Sequence, residues 1–539
     1  MPATRFAPAP AACVAAPPAG RPRGAAAPLR AVVAAAAADL LARRGPDGRW
    51  HGGCRGRLLE SALAAHLLRE TDAPPAVRGA VEGFCARALA AEEESATDGN
   101  AAVDPFDRLL SRFLAAAALR RPARDGDEAR VVAALRTYRH ASGARKRALF
   151  GALLTLLRPD ADWDTPDCPP DPLAVSGGGG WLRPTLVAVR LLAGGRGPRA
   201  DRADVAFLRD SQSPDGSWDQ YVLGTVTILL VLRRLGLAPD VVARGLRFVL
   251  AQVRDDGGVP FISSVDTWLT CLASLTLADC GTSRGALAAS VDYLCGAQLP
   301  CGGWGYAPGV RHADADDTAV AVTFLKQCAT PATQLAADAG SAWLRDAQNA
   351  DGGFNTYLRG ARSEAEISAK AITALLAGRP GPRERAAAAR AWRWLAAGQR
   401  ADGGYRAEWV RSPAFPVLHV LRAARAVAAR GLADPAPVVA RAVAGLRAAR
   451  PADAGPLTTA YAVAALATAG DGGGLLTDGV RLLVATGPDT AVPPDSLGPR
   501  PFVYDVPLLY AVYRLGALAA ARDQLSIQSA RYPSAVVTA

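Results

Sequence analysis

Ten residues past Trp304 the chain reads Asp314, Ala315, Asp316, Asp317, Thr318, Ala319, and an apolar run from Val320 to Leu325 follows at once. Carboxylates at such a place suit a helix N-terminus, where free N–H groups and the helix dipole favour negative charge. Three crowded carboxyls also do something a single cap does not, because mutual repulsion keeps one of them protonated and makes the cluster a store for a proton. Taken alone, the stretch reads equally well as a helix cap with surplus charge. A calcium loop fits less well, since the glycine and the distal glutamate of an EF-hand are missing.

The elements that must hold this motif are repeats. A turn of the form Q-x-x-D-G-(G/S)-aromatic recurs with Gln212, Asp215, Gly216 and Trp218, with Gln298, Gly302, Gly303 and Trp304, with Gln348, Asp351, Gly352 and Phe354, and with Gln399, Asp402, Gly403 and Tyr405. Diverged copies stand at Gln252 to Val259 and at Asp47, Gly48 and Trp50. The copies lie roughly 40 to 50 residues apart, the length of one helical hairpin. Between them apolar residues recur at helical spacing, as in Val320, Val322, Phe324, Leu325 and in Ile367, Ala371, Ala374, Leu375. Glycine supplies a positive φ after one helix, aspartate caps the next element, and glutamine with the aromatic is placed to clamp neighbouring repeats. A lone hairpin leaves an apolar face exposed, so the hairpins must stack or close into a ring. The expected fold is all-α, a toroid or solenoid, with a boundary suggested by the proline- and glycine-rich stretch from Pro159 to Gly180.

Composition excludes several classes. The 539 residues suffice for more than one domain, and half of them are hydrophobic. The net charge of +11 comes from arginines scattered through alanine-rich stretches, not from the dense tracts of a nucleic-acid binder. The nine cysteines form no CxxC pair, which argues against a disulfide framework or structural zinc and suits a cytoplasmic protein. Residues 1–27 are rich in alanine, proline and arginine and read as a disordered tail. The apolar runs, Ala31 to Leu41 and Thr225 to Leu232, are shorter than the roughly 20 residues a membrane span needs.

Together, the repeat turns and the D-x-D-D-T-A segment at a helix start resemble the class II terpene cyclases, which include squalene–hopene cyclases and the copalyl- and drimenyl-type prenyl diphosphate cyclases. The resemblance runs from about Ala31 to Leu518. It takes in the first turn with Arg57, Leu58 and Leu59. Trp409, Arg411, Ser412, Pro413 and His419 look like the W-H-x-S-P-Y-Y segment of the diphosphate cyclases, and Thr458, Thr459, Ala460, Tyr461, Val503 and Tyr504 like further family segments.

What the resemblance implies is chemically coherent. Protonating an unactivated alkene demands a neutral, unusually strong acid, and crowded carboxyls with hydrogen-bonding neighbours supply one. Asp316 is then the general acid, tuned by Asp314 and Asp317, with Thr318 capping or hydrogen-bonding the cluster. His312 would support the acid or sit solvated in its loop. His419 would hold a water as terminal base or sit satisfied in the core. Tyr306, Phe354, Tyr357, Trp409, Phe415, Tyr461 and Tyr504 are candidates to stabilise a carbocation through their ring faces. Arg311, Arg359, Arg362, Lys370, Arg406 and Arg411 are candidates to bind a diphosphate. Magnesium would accompany that diphosphate, with Asp104 and Asp107 as its loose candidate ligands and Glu92, Glu93 and Glu94 nearby.

No DDxxD or NSE-type magnesium motif is present, so the diphosphate is expected to survive into the product. The full expectation is two α-helical barrels of the βγ cyclase type, a catalytic β domain from 28–44 plus 258–539 and an inserted γ-like domain at 45–257. The substrate would be a linear isoprenyl diphosphate, farnesyl slightly favoured over geranylgeranyl, cyclised to a bicyclic drimenyl- or copalyl-type diphosphate for a downstream phosphatase or class I synthase. A squalene–hopene-like triterpene cyclase is the runner-up. A protein prenyltransferase subunit would need a zinc site that is not apparent in the sequence, and a non-catalytic helical scaffold would have no use for the carboxyls.

Overall fold

The computed structural model describes residues 26–94, 104–137, 143–159, 182–194, 197–449, 454–498 and 502–531. The tail up to residue 25 and nearly all of the expected boundary stretch, 160–181, lie outside the described residues. Helix α1 (Ala26–Ala42) comes first. From β1 (Gly56–Arg57) the chain continues through α2 (Leu58–Arg69), α3 (Pro75–Glu94), α4 (Pro105–Ala118), α5 (Asp127–Thr137), α6 (Gly143–Leu157), α7 (Arg183–Leu192), α8 (Pro198–Ser211), α9 (Val222–Arg234) and α10 (Pro239–Ala251). β2 (Val259–Pro260) leads into α11 (Asp266–Asp279), α12 (Ala288–Gly296), α13 (Ala315–Cys328), α14 (Pro331–Ala347), α15 (Ala365–Leu376), α16 (Pro382–Ala397), α17 (Ala414–Ala429), α18 (Ala436–Ala449), α19 (Pro456–Thr468) and α20 (Gly474–Ala485). A small hairpin of β3 (Ser496–Leu497) and β4 (Val503–Tyr504) precedes α21 (Leu509–Arg531).

The later half closes on itself. α11, α13, α15, α17, α19 and α21 each pack on the next, and α21 returns to α11 to complete an inner ring. α12, α14, α16, α18 and α20 lie outside it, and α1 packs on α21 and α11 to fill the remaining outer place. In the earlier half α2, α4, α6, α7 and α9 form a second ring, with α3, α5, α8 and α10 outside. β1 pairs antiparallel with β2, Arg57 opposite Val259, and so ties the two barrels together.

Sequence explains which helix lies in which layer. Val222 to Leu232 of α9 is apolar almost without interruption, and every residue of that run is buried, as an inner helix requires. α14 instead buries a single stripe, Thr333, Ala336, Ala337, Gly340, Ser341 and Leu344, and leaves the rest to solvent. The helical-spacing residues of α13 and α15 named above are all buried.

The repeat turn is a clamp. Gln298 Nε2 donates to the Gly302 carbonyl at 2.7 Å and to the Ala336 carbonyl of the next outer helix at 2.8 Å. Gln212, Gln348 and Gln399 repeat both bonds in their own turns. The indole N–H groups of Trp50, Trp218 and Trp304 donate to the carbonyls of Leu40, Leu208 and Leu294. The turn glycine is obligatory at Gly403, where φ is +79° and a Cβ would strike the Arg441 carbonyl. Last, a hydroxyl on an inner helix receives the aromatic residue's backbone N–H: Thr270 for Trp50, Thr225 for Trp218, Thr318 for Trp304 and Ser368 for Phe354.

Candidate active site

The turn at Trp304 bends directly onto the start of α13. Trp304 and Asp314 form an isolated antiparallel bridge in which the Asp314 N–H donates to the Trp304 carbonyl at 2.9 Å. Asp314 then caps α13, its carboxylate accepting the Asp317 N–H at 2.8 Å. The Ala315 N–H donates to the Thr356 carbonyl of the following repeat at 2.8 Å, so two turns grip the motif. Thr318 belongs to this scaffold. Its hydroxyl faces the Trp304 backbone, as the equivalent hydroxyl does in the other repeats, and not the carboxyl cluster where it was expected.

The three carboxyls differ in setting. Asp314 and Asp317 are almost wholly buried. Burial pushes Asp314 up to about 7, against the opposing effect of its hydrogen bonds with Asp317. Asp317 is pushed well above the usual carboxylate range by burial first, then by the charge and hydrogen bond of Asp314. Asp316 keeps more exposure and takes a different partner, the ammonium of Lys370 on α15, with Nζ 2.6 Å from Oδ1. That nitrogen lies over the rings of Phe415 at 5.0 Å and Trp268 at 6.0 Å.

All three carboxyls line a cavity with about 800 Å³ free of protein atoms, part of it open to solvent. Its walls are largely apolar and aromatic, with a few polar groups among them, as in a ligand site. Of the aromatics named from the sequence, Tyr306, Tyr357, Trp409, Phe415 and Tyr504 line it. Phe354 fills a repeat slot, and Tyr461 stands behind Phe415 with ring centroids 5.1 Å apart, so neither reaches the cavity wall. Tyr221, Phe261 and Trp268 complete the aromatic lining and were missed. Tyr221 was findable, for it stands three residues after Trp218 as Tyr357 stands three after Phe354.

The wall is held rigidly. Trp409 donates its indole N–H to Glu364 at 3.0 Å and its backbone N–H to Glu366 at 3.1 Å, and its ring meets Tyr357 edge-on at 5.6 Å. Burial raises Glu364 to about 7. The Tyr306 hydroxyl donates to the Asp219 carbonyl in the turn before α9, fixing this ring from the other barrel. An acid cluster thus meets a rigid aromatic chamber, an arrangement suited to protonating an apolar substrate and sheltering the cation that results.

Comparison with known proteins gives the family. Residues 260–427 match the squalene-hopene cyclase C-terminal domain family. A drimenyl diphosphate synthase of Streptomyces showdoensis is 31% identical over 510 residues, covering 89% of this chain and 92% of the relative. A second, from Streptantibioticus cattleyicolor, is 32% identical over 521 residues, covering 89% and 93%. The chain belongs to the class II terpene cyclases. In fold the cyclase is similar to the ent-copalyl diphosphate synthase of Streptomyces platensis, with a TM-score of 0.55 and 21% identity over 92% of this chain and 100% of that one. The ent-copalyl diphosphate synthase of Arabidopsis thaliana gives 0.52 and 15% identity over 94% and 64%.

Neither histidine candidate hydrogen-bonds to the carboxyl cluster. His312 bonds through Nδ1 to Asp219 at 2.9 Å, and that bond raises its pKa. His419 is buried on α17 against Phe415, with ring centroids 4.5 Å apart, and burial holds its pKa well below the usual value, so it is neutral. Its Nε2 has no hydrogen-bond partner.

Of the expected diphosphate cations, Lys370 sits instead at Asp316. Arg362 and Arg406 meet on Glu408, each at 2.8 Å. Arg311 donates to the Ser211 carbonyl at 3.1 Å. The Arg411 backbone N–H donates to the Asp495 carbonyl at 3.0 Å, and Arg359 is exposed. None of these arginines lines the cavity.

Asp104 and Asp107 do not fit a magnesium ion. Asp104 caps α4 by accepting the Phe106 N–H at 2.9 Å, and Asp107 is buried against Arg57 at 2.6 Å and Ser111 at 3.2 Å. Among the described residues no group of three His, Cys, Asp or Glu side chains could hold a metal ion, and no helix is long and apolar enough to cross a membrane.

Proposed function

We propose that this class II cyclase protonates a linear isoprenyl diphosphate and closes it to a bicyclic, drimenyl-type diphosphate. Farnesyl diphosphate is favoured over geranylgeranyl diphosphate, in keeping with what the two relatives are named for. The carrying observation is that Asp316, the most exposed of three crowded carboxyls, opens into an aromatic cavity. Asp316 donates its proton to the terminal alkene, and the inner double bonds attack in turn. Phe415, Trp268 and the other ring faces stabilise the tertiary cation without offering it a nucleophile. The cation ends by losing a proton, and the diphosphate is retained.

Further parts of the reading rest on this one. The catalytic β domain comprises 28–44 with 258–539, and 45–257 is an inserted γ-like domain, a division supported by α1 packing on α11 and α21. The diphosphate leaves the protein as substrate for a phosphatase or a class I synthase. Magnesium, where required, arrives on the diphosphate. The enzyme works in the cytoplasm, in keeping with cysteines that are free among the described residues.

The test is incubation with C10, C15, C20 and C30 isoprenoid substrates, the first three as diphosphates and the last as squalene, with and without a chelator, followed by phosphatase and identification of the alcohols. A bicyclic C15 alcohol is the expected result. Conversion of squalene alone overturns the proposal.

A further inference from the structure

The acid that must be neutral to work stands 2.6 Å from an ammonium. Lys370 is 5% exposed, and its aliphatic stem and nitrogen are enclosed by α13, α15, α17 and the Trp268 ring of α11. The contact is that of an ion pair, and a carboxylate has no proton to donate. The same nitrogen lies over Phe415 and Trp268, two of the rings that face the cavity. An ammonium held there permanently would repel the carbocation those rings are meant to stabilise. Both conflicts have one resolution.

We infer that Lys370 is the proton-holding partner of Asp316, and that seating an apolar prenyl chain moves a proton from its ammonium to the Asp316 carboxylate. This rests on Asp316 being the general acid. Filling the cavity removes water, and in a low-dielectric site the neutral amine and acid gain on the charged pair. One N–H bond of Lys370 breaks and one O–H bond forms on Asp316. That O–H bond then breaks as the new C–H bond forms at the alkene terminus, leaving the Asp316 carboxylate beside a neutral amine. The cyclised cation loses a C–H proton to water at the cavity mouth, and a proton from solvent restores the ammonium. Charge leaves Lys370 while the rings hold the carbocation and returns when the product is neutral.

The titratable groups facing Lys370 are Asp316 and Asp317 from α13, Glu366 one turn back on α15, and His419 from α17. Glu366 has its Oε1 occupied by two backbone N–H groups, and His419 is neutral, so neither replaces Lys370 at Asp316. Lys370 acts through Asp316 and is a positioning residue that sets the acid's protonation state.

Arginine and methionine separate this role from a merely structural one, because a guanidinium keeps the charge but does not surrender its proton. Full-length Lys370→Arg, Lys370→Met and Asp316→Ala are assayed with farnesyl diphosphate for kcat and KM from about pH 5 to 9, with circular dichroism as the folding check. Lys370→Arg is expected to fold and to keep KM within about twofold, while kcat drops at least about 100-fold at every pH, as loss of a general acid does. Lys370→Met is expected to retain activity at the acid end, where solvent protonates Asp316, and to lose it toward pH 8. Lys370→Arg with wild-type kcat, or Lys370→Met with an unchanged alkaline limb, overturns the proton-holding role. Activity in Asp316→Ala overturns the general-acid reading instead.

Discussion

Trp304 and Asp314 face each other across a single antiparallel bridge, and the first carboxyl of the acid cluster is therefore placed by the same turn that clamps one hairpin to the next. Catalytic geometry and repeat architecture share one backbone hydrogen bond. Thr318 reinforces it by receiving the Trp304 N–H at 3.0 Å. Thr318→Val leaves that buried N–H without a partner and is expected to cost about 1–3 kcal/mol of stability. Thr318→Ser keeps the hydroxyl and most of the stability. Urea denaturation of the two variants checks this, and equal stability would return Thr318 to the acid cluster.

The turn glycine gives a second stability test. Gly403 has a positive φ and no room for a Cβ beside the Arg441 carbonyl. Gly403→Ala is expected to destabilise the cyclase by more than about 1 kcal/mol, since both strain and a backbone clash are introduced. The midpoint of urea unfolding reports it.

Phe415 carries a prediction about product. It lines the cavity, lies beneath Lys370 and is backed by Tyr461 and Tyr513 at 5.1 and 5.9 Å. Phe415→Leu keeps the wall apolar but removes the ring face. A kcat roughly 10-fold lower is expected, in line with about 1–2 kcal/mol of cation–π stabilisation, together with monocyclic alcohols after phosphatase treatment. Gas chromatography of the alcohols decides it.

Stability should fall as pH rises through neutrality. Asp314 is raised to about 7 in the folded cyclase, so its contribution is complete below the ordinary carboxylate range and is lost as pH climbs through about 7. His312, raised by Asp219, has the same sign: its contribution is present below the ordinary imidazole value and lost as pH passes the folded one. Melting temperatures from pH 5 to 8 are expected to decline in the wild type and to decline less in Asp314→Asn. An identical slope in the variant would show that Asp314 is ionised throughout.

Much of this enzyme was legible before its structure, and the limits have a physical shape. Gln298, Gly302 and Trp304 announce a clamp because each is needed within one local turn, and Asp314 to Asp317 announce an acid because crowding is visible in adjacent letters. Lys370 gives no such signal. It reaches Asp316 only because α13 and α15 become neighbours when successive hairpins stack, and by composition alone it was one more cation for a diphosphate. Trp268 and Phe261 likewise face the cavity only once the helices are packed. Thr318 misled in the opposite direction. Its adjacency to the acids suggested chemistry, whereas its register with Thr225, Ser368 and Thr270 shows that it serves the repeat. Asp104 and Asp107 looked like a metal pair, but an N-cap and an arginine partner occupy them.

The central claim is that a proton from Asp316 starts cyclisation. Incubating the wild-type enzyme and Asp316→Ala with farnesyl diphosphate in deuterated water, followed by phosphatase and mass spectrometry, tests it most directly. The wild type is expected to yield a bicyclic C15 alcohol carrying a single deuterium at the protonated end, and the variant to return farnesol alone. A bicyclic alcohol from Asp316→Ala, or a wild-type product without deuterium, would contradict the account.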